Sequence, residues 1–188
     1  MHFFAAPATE MNALSANGPS LEPTTENLRR YLMLTGGAGM IDLSAFDMVA
    51  LHGMAFSNRF VRSVYHRYRL IEHADRRGFL ISHDTFVEAV KGLLCSSMCW
   101  RIHELIIASS GRMPAIICQP NPGQRIVEAD SRWRIPSEDR KSLAGIFEQA
   151  LDGIRSDGTI VLVQPAETVI DQLFSKVAYA ADTESFDR

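Results

Sequence analysis

The segment from Ser44 to Ser57 places the strongest constraint on how this chain can fold. Ser44 is followed three residues later by Asp47, a spacing typical of a helix start because both side chains favour the first turn. An apolar run then ends at Gly53, and a second helical pattern begins near Phe56. Two helices joined by a tight glycine turn are the outline of a helix-turn-helix. Because strand patterns are rare elsewhere, the sequence predicts an all-α fold.

The composition is typical of a soluble domain, with 46% hydrophobic and 22% charged residues among 188. No stretch approaches the ~18 consecutive apolar residues of a membrane span, and the N-terminal residues lack the basic start of a secretory signal. We therefore expect a cytoplasmic protein that has no membrane partner. The three cysteines, Cys95, Cys99 and Cys118, are an odd number and are predicted to be small core residues.

Motifs for catalysis and metal binding are missing from the sequence. It contains no Gly-x-Ser-x-Gly, no phosphate-binding glycine loop and no His-Glu-x-x-His. We therefore expect no enzymatic activity, no metal and no cofactor. The histidines leave one alternative open, a metal- or haem-binding enzyme that uses His66, His73 or His103.

The chain divides into four parts. Residues 1–23 lack periodicity and are predicted to form a flexible arm, and residues 182–188 a flexible tail. Residues 24–78 hold a capped first helix and the helix-turn-helix, which predicts a three-helix head. Residues 82–181 are predicted to form a helical second domain. Its predicted helices cover residues 82–94, 98–109, 138–155 and 166–180, while residues 159–163 suit either a helix or a strand.

Three stretches give the chain a resemblance to the tetracycline-repressor family of transcriptional regulators. Residues 44–55 contain Ser-x-x-Asp-Met-Val and then Gly-Met-Ala, similar to the Ser/Thr-x-x-Asp-Ile-Ala and Gly-Val-Ser pattern of the family. Residues 100–114 resemble the centre of many ligand domains in that family. Residues 147–158 resemble the region of its last two helices, where these proteins usually pair. Together the three stretches span residues 25–180.

The resemblance implies an N-terminal helix-turn-helix head and a C-terminal helical domain for ligand binding and dimerisation. The second helix of such a motif lies in the major groove, where Asn can pair with adenine and Arg with guanine. Residues 29–118 carry 11 Lys and Arg against 7 Asp and Glu, which suits an anionic partner. The residues predicted to contact DNA are Ser44, Ala55, Phe56, Ser57, Asn58, Arg59, Arg62 and Arg67.

Apolar side chains at helical spacing in the second domain suit either a plain core or a cavity for a small apolar effector. The resemblance implies that some line a cavity, and the candidates are Phe86, Val90, Leu94, Met98, Trp100, His103, Ile106, Ile107 and Met113. The two helices predicted over residues 138–155 and 166–180 each have one apolar face, which suits either packing in their own domain or a homodimer. The predicted interface residues are Leu143, Phe147, Leu151, Ile170, Leu173 and Phe174.

The function predicted from these features is a ligand-responsive transcriptional regulator. It would act as a repressor that binds duplex operator DNA as a homodimer and loosens its hold when a small molecule binds. The alternative is a helical protein-interaction module of the same architecture that no longer reads DNA. The irregular stretch from Arg59 to Tyr68, where the family expects an aromatic pair, motivates that alternative.

Overall fold

The protein is mixed α/β, so the predicted all-α class is wrong. The structure, a computed structural model, describes residues 2–70, 79–119, 135, 137–156, 158–163, 169–170 and 174–175. Over these ranges it contains six α-helices, a three-stranded antiparallel sheet and a three-stranded parallel sheet, together with two short strand pairs. Within the same ranges, none of the helices combines the length and the apolar character needed to cross a bilayer.

The elements of the described residues follow one another along the chain in this order. They are α1 (Ala8–Met11), β1 (Leu14–Asn17), β2 (Ser20–Pro23), α2 (Glu26–Gly36), β3 (Ile41–Asp42), a 3₁₀ turn (Leu43–Ala45), β4 (Ala50–His52), α3 (Arg59–Arg67), β5 (Tyr68–Leu70), β6 (Phe79–Ile81), α4 (His83–Cys95), α5 (Met98–Ser110), β7 (Ala115–Ile117), α6 (Ser137–Arg155), β8 (Val161–Leu162), β9 (Val169–Ile170) and β10 (Phe174–Ser175).

Four of the helices predicted from local signals, α2, α4, α5 and α6, are confirmed. The Thr25 side chain accepts a hydrogen bond from Leu28 N at the start of α2, and the Ser82 side chain accepts one from Thr85 N at the start of α4. Gly37 ends α2 at a φ of +74°, a left-handed conformation that glycine adopts without steric cost. Helices α5 and α6 also form where the apolar periodicity places them. Capping and periodicity are local properties, which is why the sequence reveals them.

The helix predicted to begin at Ser44 is wrong. Asp42 Oδ1 accepts hydrogen bonds from Ser44 N at 2.9 Å and from Ser44 Oγ at 2.6 Å, so the Ser44 hydroxyl serves a 3₁₀ turn of three residues. These hydrogen bonds also lower the pKa of the exposed Asp42 carboxyl. The chain beyond this turn is extended and forms β4, in which Leu51 is buried between two exposed neighbours.

Strand β4 is held by partners far along the sequence. It pairs in parallel with β7, which pairs in parallel with β8, so the sheet order is β4-β7-β8. The register places Leu51 opposite Ile116 and Ile116 opposite Val161, and all three side chains are buried. A parallel pair needs a long crossover connection, so no local hairpin signal marks these strands in the sequence.

Other segments also differ from the helical prediction. Residues 14–23, assigned to the flexible arm, form a hairpin in which β1 pairs with β2, and β2 pairs in turn with β3. In the predicted three-helix head of residues 24–78, α3 ends at Arg67 and is followed by β5, which pairs with β6, while residues 71–78 lie outside the described residues. Within the predicted helix 166–180, the described residues form the paired strands β9 and β10. The predicted tail, residues 182–188, lies outside the described residues.

Candidate functional site

The carboxyl ends of three parallel strands meet at one edge of the central sheet. Gly53 follows β4, Cys118 and Gln119 follow β7, and Val163 follows β8. Cys118 N continues the ladder by donating to Leu162 O at 2.9 Å. In open parallel sheets, ligands bind in the crevice outside the carboxyl ends of the strands. This edge is therefore the candidate functional site.

The chain leaves β4 through a turn of unusual conformation, residues Gly53–Phe56, which we name the edge turn. Phe56 N donates to Gly53 O at 3.2 Å, and the two central residues, Met54 and Ala55, have φ angles of +52° and +64°. Positive φ at both central positions is the mark of a type I′ turn, which favours Asn-Gly. For L-residues with a Cβ this conformation costs roughly 1–2 kcal/mol each.

Contacts on both sides hold the edge turn in this strained form. The Phe56 side chain is fully buried, and Phe56 O accepts a hydrogen bond from Gln119 N at 2.9 Å. Gly53 has a φ of +84°, and a Cβ atom at this position would lie 3.7 Å from Gln119 Nε2. The side-chain amide of Gln119 therefore lies beside the turn, where it can offer both a donor and an acceptor.

Buried polar side chains follow the edge turn at the start of α3. Ser57, Asn58 and Arg62 are all buried, and Arg62 Nη2 lies 3.5 Å from Asn58 Oδ1. Burial, with the nearby charge of Arg59, lowers the pKa of Arg62 to about 10, so its guanidinium stays protonated at neutral pH. Ser57 Oγ accepts a hydrogen bond from Arg59 N at 3.3 Å. We name these three buried side chains, which follow the edge turn in the chain, the polar layer.

A buried polar contact joins helix α3 to α6. The Tyr65 hydroxyl donates to Asp139 Oδ2, and both side chains are buried. Asp139 lies in the first turn of α6, where the helix dipole favours a negative charge. This contact fixes α3, and with it the polar layer that begins at Ser57.

The thiol at the edge is not a reactive group. Burial raises the pKa of Cys118 to about 12, and burial raises the pKa of Cys99 to the same value, so both remain protonated at neutral pH. Both side chains are buried in the apolar core, and Cys95 is half-buried. The prediction that the cysteines are core residues is therefore confirmed for Cys99 and Cys118.

The structure does not form the recognition helix on which the DNA-contact prediction depended. Of the eight predicted residues, Phe56, Ser57, Asn58 and Arg62 are buried, and buried side chains cannot reach base edges. Ala55 lies in the edge turn, Ser44 is exposed on the 3₁₀ turn, and Arg59 and Arg67 are exposed at the two ends of α3. Operator binding itself stays a prediction. The helix-turn-helix that suggested it is not formed by residues 44–57.

Most of the predicted effector-site residues belong to the core. Phe86, Val90 and Leu94 are buried on α4, which packs against α6. His103 and Ile106 are buried on α5, Met98, Trp100 and Ile107 are half-buried, and Met113 is exposed. A cavity of about 230 Å³ lies elsewhere, between residues 2–6, β4 and α5, and Ile106 is the one member of the predicted set that lines it.

The predicted dimer residues on α6 are also part of the core of one chain. Leu143, Phe147 and Leu151 are buried, and α6 packs on α4. Ile170 and Phe174 face each other as backbone partners in β9 and β10, and Leu173 lies outside the described residues. The homodimer therefore stays a prediction, and the predicted residues of α6 do not supply a surface for it.

The alternative of a metal- or haem-binding enzyme is not supported by a metal site in the part of the chain that the structure describes. No group of three or more His, Cys, Asp or Glu side chains converges there. His66 is exposed on α3, and His73 lies outside the described residues. His103 is buried and stacks on Trp100, with ring centroids 4.7 Å apart and planes 22° apart.

We expect His103 to make the protein less stable in acid. Burial lowers the pKa of His103 below its ordinary value of 6.5, against the opposing effect of Glu104, and neither ring nitrogen has a hydrogen-bond partner among the described residues. The unfolded chain therefore binds this proton more readily than the folded chain. The contribution of neutral His103 to the free energy of unfolding is fully present above pH 6.5. It decreases as the pH falls through the pKa of His103 in the folded protein.

Urea unfolding of the His103→Phe variant at a series of pH values measures this effect, because phenylalanine keeps an aromatic ring beside Trp100. We expect the variant to lose less stability than the wild type between about pH 7 and pH 5. His83→Phe is the matched control, since His83 is only half-buried and hydrogen-bonds to Gln149. Identical pH slopes for wild type and His103→Phe would show that His103 does not cause the acid sensitivity.

Sequence reasoning missed the residues that matter most at the edge. Gln119 was not among the predicted site residues, and Gly53 was interpreted as the turn of a helix-turn-helix. The available signal was the pair of short apolar runs that end at Leu51 and Cys118, which also suit buried parallel strands. Such short runs do not identify their partners, so the edge could not be assembled from them.

Comparisons of the chain with models of known protein families, with curated proteins and with solved structures find no match. The resemblance to the tetracycline-repressor family therefore has no support from these comparisons. The geometry of the carboxyl edge is the ground on which a function can be argued.

Proposed function

We propose that this protein binds a small organic molecule at the carboxyl edge of its parallel sheet, with the edge turn as the binding element. One observation carries the proposal: Met54 and Ala55, two residues with side chains, are held at positive φ directly after β4. Conformations of this kind persist only where the surroundings impose them, and they cluster at ligand and active sites. Their position at the strand ends agrees with the ligand position in open parallel sheets.

The accessible groups at the edge suit hydrogen bonding to a ligand. The Gln119 side chain is half-buried beside Gly53, and the His52 side chain is exposed at the end of β4. Since Gly53 has no side chain, a ligand can approach the backbone closely there. Ser57 and Cys118 are buried, and Cys118 stays protonated, so neither is placed for nucleophilic attack. The arrangement therefore favours binding, and the absence of catalysis stays a prediction.

This proposal keeps the small-molecule part of the sequence-based hypothesis and moves it to a different place. The predicted effector cavity was in the helices, whereas the edge combines strands β4 and β7 with the turn between β4 and α3. Loops at strand ends are common sites of function because a rigid scaffold positions them.

The double variant Met54→Asn, Ala55→Gly tests whether the edge turn serves binding. Asn-Gly fits a type I′ turn without strain, so we expect the turn to keep its conformation and the free energy of unfolding to rise by about 1 kcal/mol. We also expect ligand affinity to fall at least about tenfold, because the variant removes the Met54 and Ala55 side chains from the binding element. Urea denaturation measures the stability, and ligand-observed NMR with pooled polar metabolites, followed by ¹⁵N mapping, measures the binding.

A control variant and a map of the binding site separate the effect on stability from the effect on binding. Ala45→Gly replaces an exposed alanine outside the positive-φ positions, so it should lower stability by up to about 1 kcal/mol. In the wild type, bound compounds should shift the backbone resonances of residues 53–55 and the side-chain amide of Gln119. Binders that shift resonances only at distant sites, or a double variant that binds as the wild type does, would contradict the proposal.

A further inference from the structure

A cavity among the described residues opens towards the candidate site. It has a volume of about 230 Å³ and lies beneath residues 2–6, which we name the N-terminal strap. Leu51 of β4 lines one side, and Ile102 and Ile106 of α5 line another. Met54 of the edge turn and His52 of β4 line it as well, so the cavity and the carboxyl edge share two residues.

The cavity has the size and lining of a site for an apolar group. An engineered apolar cavity of ~150 Å³ binds benzene, so 230 Å³ accommodates roughly nine or ten non-hydrogen atoms. Met11, Met48 and Met54 are among the lining residues, and flexible methionine side chains adapt to irregular apolar ligands. The imidazoles of His2 and His52 are the titratable side chains in an otherwise apolar lining.

The N-terminal strap covers the cavity through a small number of contacts. Ala5 N donates to Thr35 Oγ1 at 2.9 Å, and Thr35 Oγ1 donates to Ala5 O at 3.2 Å, both in exposed positions. The Phe4 ring packs against Gly36 so closely that a Cβ atom there would overlap it, and the same ring meets Phe46 edge-on at 6.2 Å. Exposed hydrogen bonds of this kind are worth little, so the packing of the Phe4 ring is the main contact that holds the strap.

The mouth of the cavity is apolar and reaches the solvent. Phe3 and Met48 both line the cavity, yet 62% of Phe3 and 76% of Met48 is exposed. Exposed apolar side chains grouped at one opening are typical of a ligand entrance. A ligand that enters here with its apolar part first would keep its polar end near His52 and the edge turn.

We infer that the ligand of this protein is amphiphilic, with an aliphatic chain of about eight carbons in the cavity and a polar head at the carboxyl edge. This inference rests on the proposed function, because it places the head at the site proposed there. The apolar lining of the cavity supports an aliphatic chain in the ligand. The shared residues His52 and Met54 support a connection between the cavity and the carboxyl edge.

Methyl NMR with 1-octanol as the probe tests this inference. Selective labelling of methionine methyl groups reports on the cavity through Met11, Met48 and Met54, while Met33, Met98 and Met113 lie outside its lining and serve as internal controls. We expect 1-octanol to shift the first set and not the second, and to shift the side-chain amide of Gln119 at the same time.

Two variants test whether the aliphatic chain of the ligand lies in the cavity. Ala6→Leu places a larger side chain in the lining and should weaken 1-octanol binding at least tenfold, whereas Ala45→Leu, an exposed position outside the lining, should leave it unchanged. If Ala6→Leu fails to fold, Gly36→Ala displaces Phe4 from the cavity wall and should also weaken binding. Gly92→Ala is its control, because a Cβ on Gly92 of α4 meets no atom within 4 Å.

The outcomes distinguish the inference from the proposed function. If 1-octanol leaves Met11, Met48 and Met54 unshifted while polar metabolites still shift residues 53–55, the inference is wrong and the proposed function stands. If the methionine methyl resonances shift but the Gln119 side-chain amide does not, no polar head reaches the edge, and the inference of an amphiphilic ligand is wrong. If neither 1-octanol nor any polar metabolite shifts Gln119 or residues 53–55, the proposed function fails, and the inference that rests on it fails too.

Discussion

Replacing Phe56 by alanine is expected to lower the free energy of unfolding by about 3–5 kcal/mol, the cost of deleting a buried aromatic ring. The Phe56 side chain has no exposed surface, and it is the anchor between the edge turn and the start of α3. Removing the ring leaves a cavity and frees a turn whose two central residues are strained. Relaxation of that turn should also weaken ligand binding at the edge.

Denaturation in urea, followed by circular dichroism, measures this loss. The matched control is Phe79→Ala, because 77% of Phe79 is exposed and its substitution should change stability by no more than about 0.5 kcal/mol. A loss below about 1 kcal/mol for Phe56→Ala would mean that the side chain does not hold the turn. Equal losses for the two phenylalanine variants would contradict the burial difference between them.

The second large effect is expected at the contact between α3 and α6. Tyr65→Phe removes the hydroxyl that donates to Asp139, and both side chains are buried. A hydrogen bond to a charged group is worth about 1.5–3 kcal/mol, so we expect a loss of stability in this range. The packing of the aromatic ring is unchanged, which limits the effect to the hydrogen bond.

A double-mutant cycle with Asp139→Ala isolates this contact, because alanine leaves no acceptor for the Tyr65 hydroxyl. The coupling energy between the two positions should be at least about 1 kcal/mol, because the two side chains belong to one buried polar contact. Tyr31→Phe on the exposed face of α2 provides the comparison for removing a tyrosine hydroxyl without a buried partner. Additive effects of Tyr65→Phe and Asp139→Ala would show that the hydroxyl and the carboxylate contribute separately.

The failure of the helix-turn-helix prediction has a specific physical cause. Ser44 and Asp47 have the spacing of a helix start, but Asp42 captures both the amide and the hydroxyl of Ser44. The residues that follow include Val49 and Leu51, whose side chains suit a strand as well as a helix. Hydrogen bonds from β7 then decide the conformation, including one from Ala115 N to Val49 O at 2.9 Å. A competing local cap and a distant strand outweighed the helical spacing.

The candidate site was even less accessible to sequence reasoning than the fold. Gly53 stood out as a turn, but nothing in Met54 or Ala55 predicts a positive φ, because both residues disfavour it. Gln119 comes to the edge turn only because β4 and β7 pair in register. The cavity depends on residues 2–6 lying over α5 and β4, and these segments carry no mutual signal in the sequence.

The sequence by itself determined where α2, α4, α5 and α6 form, because a helix satisfies its backbone hydrogen bonds within one segment and shows its buried face by periodicity. The tertiary structure alone decided the parallel sheet, the strained edge turn and the cavity beneath the N-terminal strap. Strands of two or three residues gain their hydrogen bonds only from distant partners, and a strained turn survives only when packing such as that of Phe56 imposes it.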